Sequence, residues 1–511
     1  MLDSFWCVVL PAVAVGAVFS LFLERLLQPS PKPFWRRPAA ALAIHVGLWL
    51  YFSTGLLLVV QRPFFAVGAL LAGFLFIVLV SNAKADSLHE PFIFQDFEYF
   101  RDALRHPRLY LPFLGAGRAV LAVLALAAAI VAGLSMEESL LDGLSNEHFL
   151  AGSGVLALTG LLLIGFGTWR RIPVCFDAAS DLRNLGLLPA LWRYGEEEHR
   201  PCRPPMPFAA AVSPALEVPA RPTLVVVQSE SFFDPRRLFS GIRDDLLSEY
   251  DALRARAICH GPLAVAAWGA NTVRTEFAFL SGLSADSLGV HRFNPYRRLG
   301  RQGVATLASF LKQLGYRTIC VHPYVASFYS RHRVLPRLGF DEFIDLRAFA
   351  GAARSGPYVS DLAVADRVCS LLQEAGGQPL FVFVITMENH GPLHLESVAP
   401  GDEDRFYSVA PPAGCDELTI YLRHLANADR MLGRLRVAIE ALPDPACLCW
   451  FGDHVPIMPA VYRTLARPDG QTDYLLWRTG GEPGAGERRE VSIERLAGLL
   501  LREMGFREPT G

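Results

Sequence analysis

Apolar positions are spread unevenly along the 511-residue chain. Five runs without a charged residue, 5–23, 38–60, 64–80, 119–134 and 149–166, fill its first third. A bilayer-spanning helix needs about 17–25 largely apolar residues, so these runs predict five transmembrane helices. The fourth is the shortest and extends past Met136 before meeting a charge. The first lacks a basic flank before it, which argues against a cleaved leader. Between the third and fourth runs, 83–118 mixes Phe92, Phe94, Phe97 and Phe100 with Asp96, Glu98, Arg101 and Arg105. That mixture predicts an amphipathic helix lying in the membrane interface.

Residues 169–222 read as a connector, with a short amphipathic piece at 182–194 and an acidic patch at 196–198. Seven prolines from Pro201 to Pro222 follow, the composition of an extended, semi-rigid spacer. From 223 onward the period changes. Short apolar runs at 224–227, 318–321, 380–385 and 447–451 predict strands buried on both faces. Amphipathic stretches at 306–314, 362–373 and 418–442 predict helices between them. The architecture is an N-terminal five-helix transmembrane region, 1–168, the connector, 169–222, and a C-terminal α/β domain, 223–511. That last domain has a mostly parallel sheet flanked by helices.

Composition sharpens this picture. The chain is 52% hydrophobic and 19% charged, an average over two unlike parts. A formal net charge of −2 argues against a nucleic-acid partner, which needs a basic field. Nine cysteines show no zinc-ligand spacing.

Ligands of open α/β sheets sit at the carboxyl ends of strands. Each predicted strand ends in polar residues: Gln228-Ser229-Glu230-Ser231, His322-Pro323-Tyr324, Thr386 to Gly391, and Gly452-Asp453-His454. Two carboxylates and an imidazole from Glu230, Asp453 and His454 suit Mn²⁺ or Zn²⁺, with Mg²⁺ less favoured. The segment from Trp268 to Phe277 supplies a hydroxyl, Thr272, at an expected helix start. A threonine there reads either as an N-cap or as a metal-activated nucleophile.

At these residues the sequence resembles the lipoteichoic acid synthase and phosphoglycerol transferase family, sulfatase-like members of the alkaline phosphatase superfamily. The matching motifs are Ser229-Glu230-Ser231, the segment Asn271 to Phe277, Asn389-His390-Gly391-Pro392 and Gly452-Asp453-His454. The resemblance implies one divalent metal, Mn²⁺ foremost, on Glu230, Thr272, Asp453 and His454, with Thr272 as nucleophile. It implies substrate contacts from Arg331, His322 and Tyr329, where Tyr329 replaces a frequent tryptophan. It places His390 near the substrate, with chemistry suited to a general acid or base. It further implies a phospholipid donor, foremost phosphatidylglycerol, a glycan or polyol acceptor, and a multi-pass protein of the inner membrane. Its catalytic domain would be periplasmic. The loop charges oppose that orientation: Arg25, Lys32, Arg36 and Arg37 would lie outside, and the acidic loop with Glu137 and Glu138 inside.

No cysteine begins the Cys-x-Pro-x-Arg pattern of formylglycine sulfatases; Cys259-His260-Gly261-Pro262-Leu263 departs from it. The competing readings are a phosphoethanolamine transferase, a phosphodiester hydrolase with water as acceptor, and an inactive membrane sensor or scaffold.

Overall fold

A computed structural model of the chain describes residues 2–98, 100, 124, 127–131, 133–209, 221–480 and 486–506. It divides into two compact units, Met1–Pro201 and Cys202–Gly511.

In the first unit, four helices among the described residues are long and apolar enough to cross a membrane. They are Phe5–Leu26, Ala39–Val60, Pro63–Leu88 and Asn146–Trp169. Half of the predicted span 119–134, and residues 101–118 of the predicted interfacial helix, lie outside the described residues. The first part of that segment instead continues the third span through Leu88, and Phe92 and Ile93 then turn inward and are buried. Val15, Phe19, Phe64, Leu79, Leu158 and Leu162 are exposed, an apolar surface that suits lipid and not water. The second and fourth spans pack through small residues. A Cβ added at Gly160 would come 2.8 Å from the Gly47 carbonyl oxygen, so glycine is what lets the two backbones approach. Two further helices, Ala178–Leu185 and Leu187–Glu198, bury Leu182, Leu187 and Tyr194 within this unit. The start of the expected connector is therefore packed structure. Of its proline-rich part, 210–220 lie outside the described residues.

The second unit is built on a nine-stranded sheet. Its strands are β1 (Thr223–Ser229), β2 (Cys259–Ala264), β3 (Arg317–Val321), β4 (Glu342–Ile344), β7 (Leu380–Ile385), β8 (Ala446–Gly452), β9 (Thr472–Arg478), β10 (Glu487–Arg488) and β11 (Val491–Ser492). A separate two-stranded hairpin holds β5 (Arg354–Ser355) and β6 (Tyr358–Val359). The order is β10-β2-β9-β8-β1-β7-β3-β4, with β11 also on β2. The centre, β8-β1-β7-β3-β4, is parallel. β9 runs antiparallel to both β8 and β2.

Alternation assigns the two faces. Val225, Val227, Val382, Val384, Leu448 and Trp450 enter one core, under helices Asp361–Glu374 and Asp416–Glu440. Leu224, Val226, Phe381, Phe383, Cys449 and Phe451 enter the other, under helices Thr272–Ser281, Leu307–Gln313 and Ile493–Glu503. Because helices cover both faces, the central segments 224–227, 319–321, 380–385 and 447–451 are apolar on both faces of the sheet. β2 and β9 escaped the sequence pattern. β2 carries Gly261 and Pro262, residues that ordinarily argue against a strand.

Two packing features position the polar strand ends. Phe279, on helix Thr272–Ser281, stacks on Phe383 at 5.7 Å and on Phe451 at 5.0 Å, seating that helix on β7 and β8. On the opposite face, the loop after β7 is anchored by a buried polar network. His424 Nδ1 lies 3.1 Å from Glu388 Oε1, and Nε2 lies 3.0 Å from Glu396 Oε1. Asn427 donates to Glu388 as well, and the Asp361 amide donates to its other oxygen at 2.7 Å. Burial alone would lower the His424 pKa, but its bonds to Glu388 and Glu396 outweigh it and raise the group to about 9. The ring is an imidazolium held between two carboxylates.

Replacing Phe279 by alanine is expected to cost about 3–5 kcal/mol, read as a lower denaturant midpoint. For His424 the folded pKa exceeds the ordinary 6.5, so its contribution is complete below that value and is lost as pH rises through about 9. Thermal stability should therefore fall as pH rises from about 7 to about 10, and His424→Ala should lower the plateau by about 3–5 kcal/mol and flatten that fall.

Candidate metal centre

Adjacent parallel strands β8 and β1 end level with each other, Gly452 opposite Ser229. The next residues, Asp453 and Glu230, therefore emerge side by side, and His454 follows. One ligand atom from each of Glu230, Asp453 and His454 lies within 4.8 Å of the others. His454 Nε2 is 3.5 Å from Glu230 Oε1 and 3.4 Å from Asp453 Oδ2. All three side chains are buried.

Local backbone makes this convergence. Gly452 has no room for a side chain, because a Cβ there would sit 1.8 Å from the Phe232 carbonyl oxygen. Ser231 turns the chain with φ +53°, donates its amide to Asp453 Oδ1 at 2.9 Å and its hydroxyl to Glu230 Oε1 at 3.0 Å. The Glu230 amide donates to the Thr386 hydroxyl at 2.9 Å, tying β1 to β7. His454 Nδ1 donates to the Val455 carbonyl at 3.1 Å, which leaves Nε2 as a lone-pair donor facing the carboxylates.

That arrangement fits a divalent cation. Asp453 Oδ2 and His454 Nε2 are buried without a hydrogen-bond partner. Two carboxylates and an imidazole lone pair converge with no proton donor between their facing atoms, and such a set is costly unless a positive charge fills it. Burial, and then the charge on Asp453, pushes the Glu230 carboxyl well above the usual carboxylate range. A bound cation reverses that penalty.

Thr272 opens helix Thr272–Ser281, directly after Asn271 at φ +65°. It makes no N-cap of the ordinary kind: Asn271 holds the cap position, and Thr272 is the first helical residue. One turn on, the Thr275 hydroxyl donates to the Asp453 backbone carbonyl at 2.8 Å, binding this helix end to the carboxyl end of β8.

Arg331 is buried, and Glu276 on the same helix holds it. Its Nη2 lies 2.7 Å from Glu276 Oε2 and its Nε 3.3 Å from Oε1. Burial works against the guanidinium charge, and Glu276 overrides it and keeps the group protonated. Tyr296 donates to the same carboxylate. Nη1 donates to His322 Nε2 at 3.1 Å, while His322 Nδ1 donates to the Ile385 carbonyl at 3.0 Å. Burial, then Arg331, holds the His322 pKa well below its ordinary value, so the ring is neutral. Tyr329 lies against the guanidinium at 5.2 Å. His390 is half-buried, with Nδ1 donating to the Gly391 carbonyl at 2.7 Å and the Tyr358 hydroxyl 3.2 Å away. Burial holds its pKa below the ordinary value.

Glu276, Ser231 and Thr386 were not among the residues singled out from sequence as site members. Glu276 carried one usable signal: it follows Thr272 by four residues and so shares its helix face. Among the described residues of the second unit, the non-glycine positions at positive φ are Ser231, Asn271, Tyr329 and Ser330. Each adjoins, or is, an expected site residue. Such conformations cost about 1 kcal/mol or more and concentrate where a site imposes them.

A model of the sulfatase family matches residues 222–505. The capsular polysaccharide biosynthesis protein RkpI of Rhizobium meliloti (strain 1021) is 35% identical over 272 residues, 52% of this chain and 47% of that protein. Phosphoglycerol transferase I of Xanthomonas axonopodis pv. citri (strain 306) is 26% identical over 322 residues, 57% of this chain and 42% of that protein. The chain spans about half the length of the curated relatives it matches. The integral membrane lipooligosaccharide phosphoethanolamine transferase A (EptA) from Neisseria meningitidis shares the fold. Its TM-score is 0.59 at 13% identity, covering 97% of this chain and 96% of that one. With over half of its length matched by the family model, and its strand ends converging on a cluster that could hold a metal, the chain belongs to the sulfatase family.

Proposed function

We propose that this protein is a membrane-bound, metal-dependent transferase that moves a phosphoglycerol head group from a phospholipid to a glycan or polyol acceptor through Thr272. The observation that carries this reading is the buried pair of unpartnered atoms, Asp453 Oδ2 and His454 Nε2, beside Glu230. The kinship to a phosphoglycerol transferase supports the donor, and that to a capsular polysaccharide protein supports a glycan acceptor.

Glu230, Asp453, His454 and the Thr272 hydroxyl would hold a divalent cation, Mn²⁺ before Zn²⁺ or Mg²⁺ on this mixed donor set, and it would supply positive charge that acidifies the hydroxyl and offsets charge on the phosphoryl oxygens. Thr272 Oγ attacks the phosphorus of phosphatidylglycerol. The bond from phosphorus to the diacylglycerol oxygen breaks, and phosphoglycerol stays on Thr272. His390, kept neutral by burial and donating through Nδ1, presents a lone pair at Nε2: it takes the Thr272 hydroxyl proton and passes it to the departing diacylglycerol oxygen, then takes the proton of the acceptor hydroxyl and returns it to Thr272 Oγ. The acceptor oxygen then bonds to phosphorus, the bond to Thr272 Oγ breaks, and the hydroxyl is restored.

Arg331 meets the phosphoryl group with its outer N–H edge, because Glu276 occupies the Nε–Nη2 side. His322 acts on the substrate through Arg331, and Tyr329 supports the guanidinium plane. The catalytic unit is placed outside the cytoplasm, with basic loops on its own side of the inner membrane.

With labelled phosphatidylglycerol and the purified full chain, Thr272→Ala should lower diacylglycerol release by roughly 10⁴-fold or more. Wild type should carry label on the peptide holding Thr272. Chelation should abolish turnover and Mn²⁺ restore it. A Thr272→Ala protein with normal release overturns the mechanism, and faster turnover of phosphatidylethanolamine reassigns the donor. A reporter fused to the C-terminus should be active only as a periplasmic fusion; activity in the cytoplasm reverses the orientation.

A further inference from the structure

The first unit contains a cavity of about 410 Å³ between the end of the first span and the start of the second. Arg25, Lys32 and Arg183 line it, with Ser30, Ser180 and Asn184. Its volume falls in the range of ligand pockets, roughly 300–1,000 Å³. Arg25 and Lys32 come from the segment between the first two spans and Arg183 from helix Ala178–Leu185, and the fold brings the two stretches together. The Lys32 amide donates to the Arg183 carbonyl at 2.8 Å, which locks the loop after the first span to helix Ala178–Leu185. Arg37 Nε donates to the Lys32 carbonyl at 2.7 Å and holds the loop from its other side.

No carboxylate among the described residues pairs with any of the three. The acids of the elements around them are already taken. Glu24 is buried against Arg37 and accepts the Leu187 amide. Asp177 caps the helix by accepting the Ser180 amide. Asp181 accepts the amides of Cys175 and Phe176 and the Tyr194 hydroxyl. Among the described residues the three positive charges lining the cavity therefore have no carboxylate in ion-pair contact, and like charges confined together repel unless an anion joins them. Ser30, Ser180 and Asn184 add neutral polar groups around that charge.

Depth identifies the kind of anion. The first span ends at Leu26 and the second starts at Ala39, so Arg25 to Lys32 lie at the level of the membrane–water boundary. Leu26 and Trp35 flank the cavity's loop and are exposed, the placement of side chains that sit among lipid at that boundary. A pocket of three cations at this boundary is matched in charge by a phosphate-bearing group.

We propose that this cavity is a binding site for a phosphoryl anion, of the kind carried by a phospholipid head group or a soluble phosphate ester. It lies in the membrane unit, is built from residues outside the metal centre, and does not depend on the transferase reading.

The chain has three lysines, Lys32, Lys84 and Lys312, so amine acetylation read by peptide mass spectrometry reports on the cavity directly. The full chain is labelled in maltoside micelles with chelator present, which silences turnover. Phosphatidylglycerol, diacylglycerol or soluble sn-glycerol 1-phosphate is added in separate arms. Phosphatidylglycerol should lower Lys32 acetylation about fivefold relative to Lys312, and Arg183→Gln or Arg25→Gln should remove most of that protection. Diacylglycerol, which lacks the phosphate, should protect nothing. Protection by sn-glycerol 1-phosphate as well assigns the site to phosphate esters in general, and its absence assigns it to the lipid. Lys84, held by Glu90 and Asp96 at 2.6 and 2.7 Å, reports unfolding of this unit if it becomes reactive. Lys32 equally reactive in every arm, protection by diacylglycerol, or protection that survives Arg183→Gln in a protein whose Lys84 stays unreactive overturns the proposal.

Discussion

Three acceptors facing one another at the buried end of a sheet set the terms for the rest of the second unit. Glu230, Asp453 and His454 are brought within ligand distance by strand register, and among the described residues nothing donates to Asp453 Oδ2 or His454 Nε2. Buried like this, they are costly as charges, and a cation among them would remove that cost. The surroundings then make sense as devices that keep the acceptors aimed. Ser231 takes a strained backbone to bond both carboxylates, Gly452 gives up its side chain to the Phe232 carbonyl, and the Val455 carbonyl fixes the His454 tautomer.

A second buried charge system stands beside the first and is closed. Arg331 is neutralised by Glu276, oriented by neutral His322 and backed by Tyr329. A buried arginine whose fork is already occupied keeps its position without a ligand and presents a fixed edge to one. The two systems meet on one helix: Thr272 begins it and Glu276 sits one turn later. Phe279 on the same helix, stacked on β7 and β8, couples their placement to the core.

Much of this was legible in the residue order, for a physical reason. Strands covered on both faces are apolar throughout, so β1, β3, β7 and β8 stand out, and their polar ends follow at once as Glu230, His322, Asn389-His390 and Asp453-His454. What stayed hidden depends on pairing across distance. Glu276 and Arg331 are 55 positions apart, and His424 is 36 from Glu388, so neither partnership leaves a local pattern. β2 was concealed by Gly261 and Pro262, and β9 by pairing antiparallel to its neighbours inside an otherwise parallel order. In the first unit, composition announced the spans, but the close packing of Gly47 on Gly160 needed the structure, because a glycine in an apolar run has no single meaning.

The register that places Ser229 beside Gly452 also has a consequence in time. Ser231 and Asp453 are 222 positions apart, and β1 pairs with β7 and β8, which leave the ribosome long after it. Contacts of such separation form late, since the entropy of closing the intervening chain must be met first. The cluster therefore has no partial version on which an ion can nucleate folding. A chain released before β8 carries Glu230 but neither Asp453 nor His454, so the cluster that could hold an ion is absent until the sheet is finished.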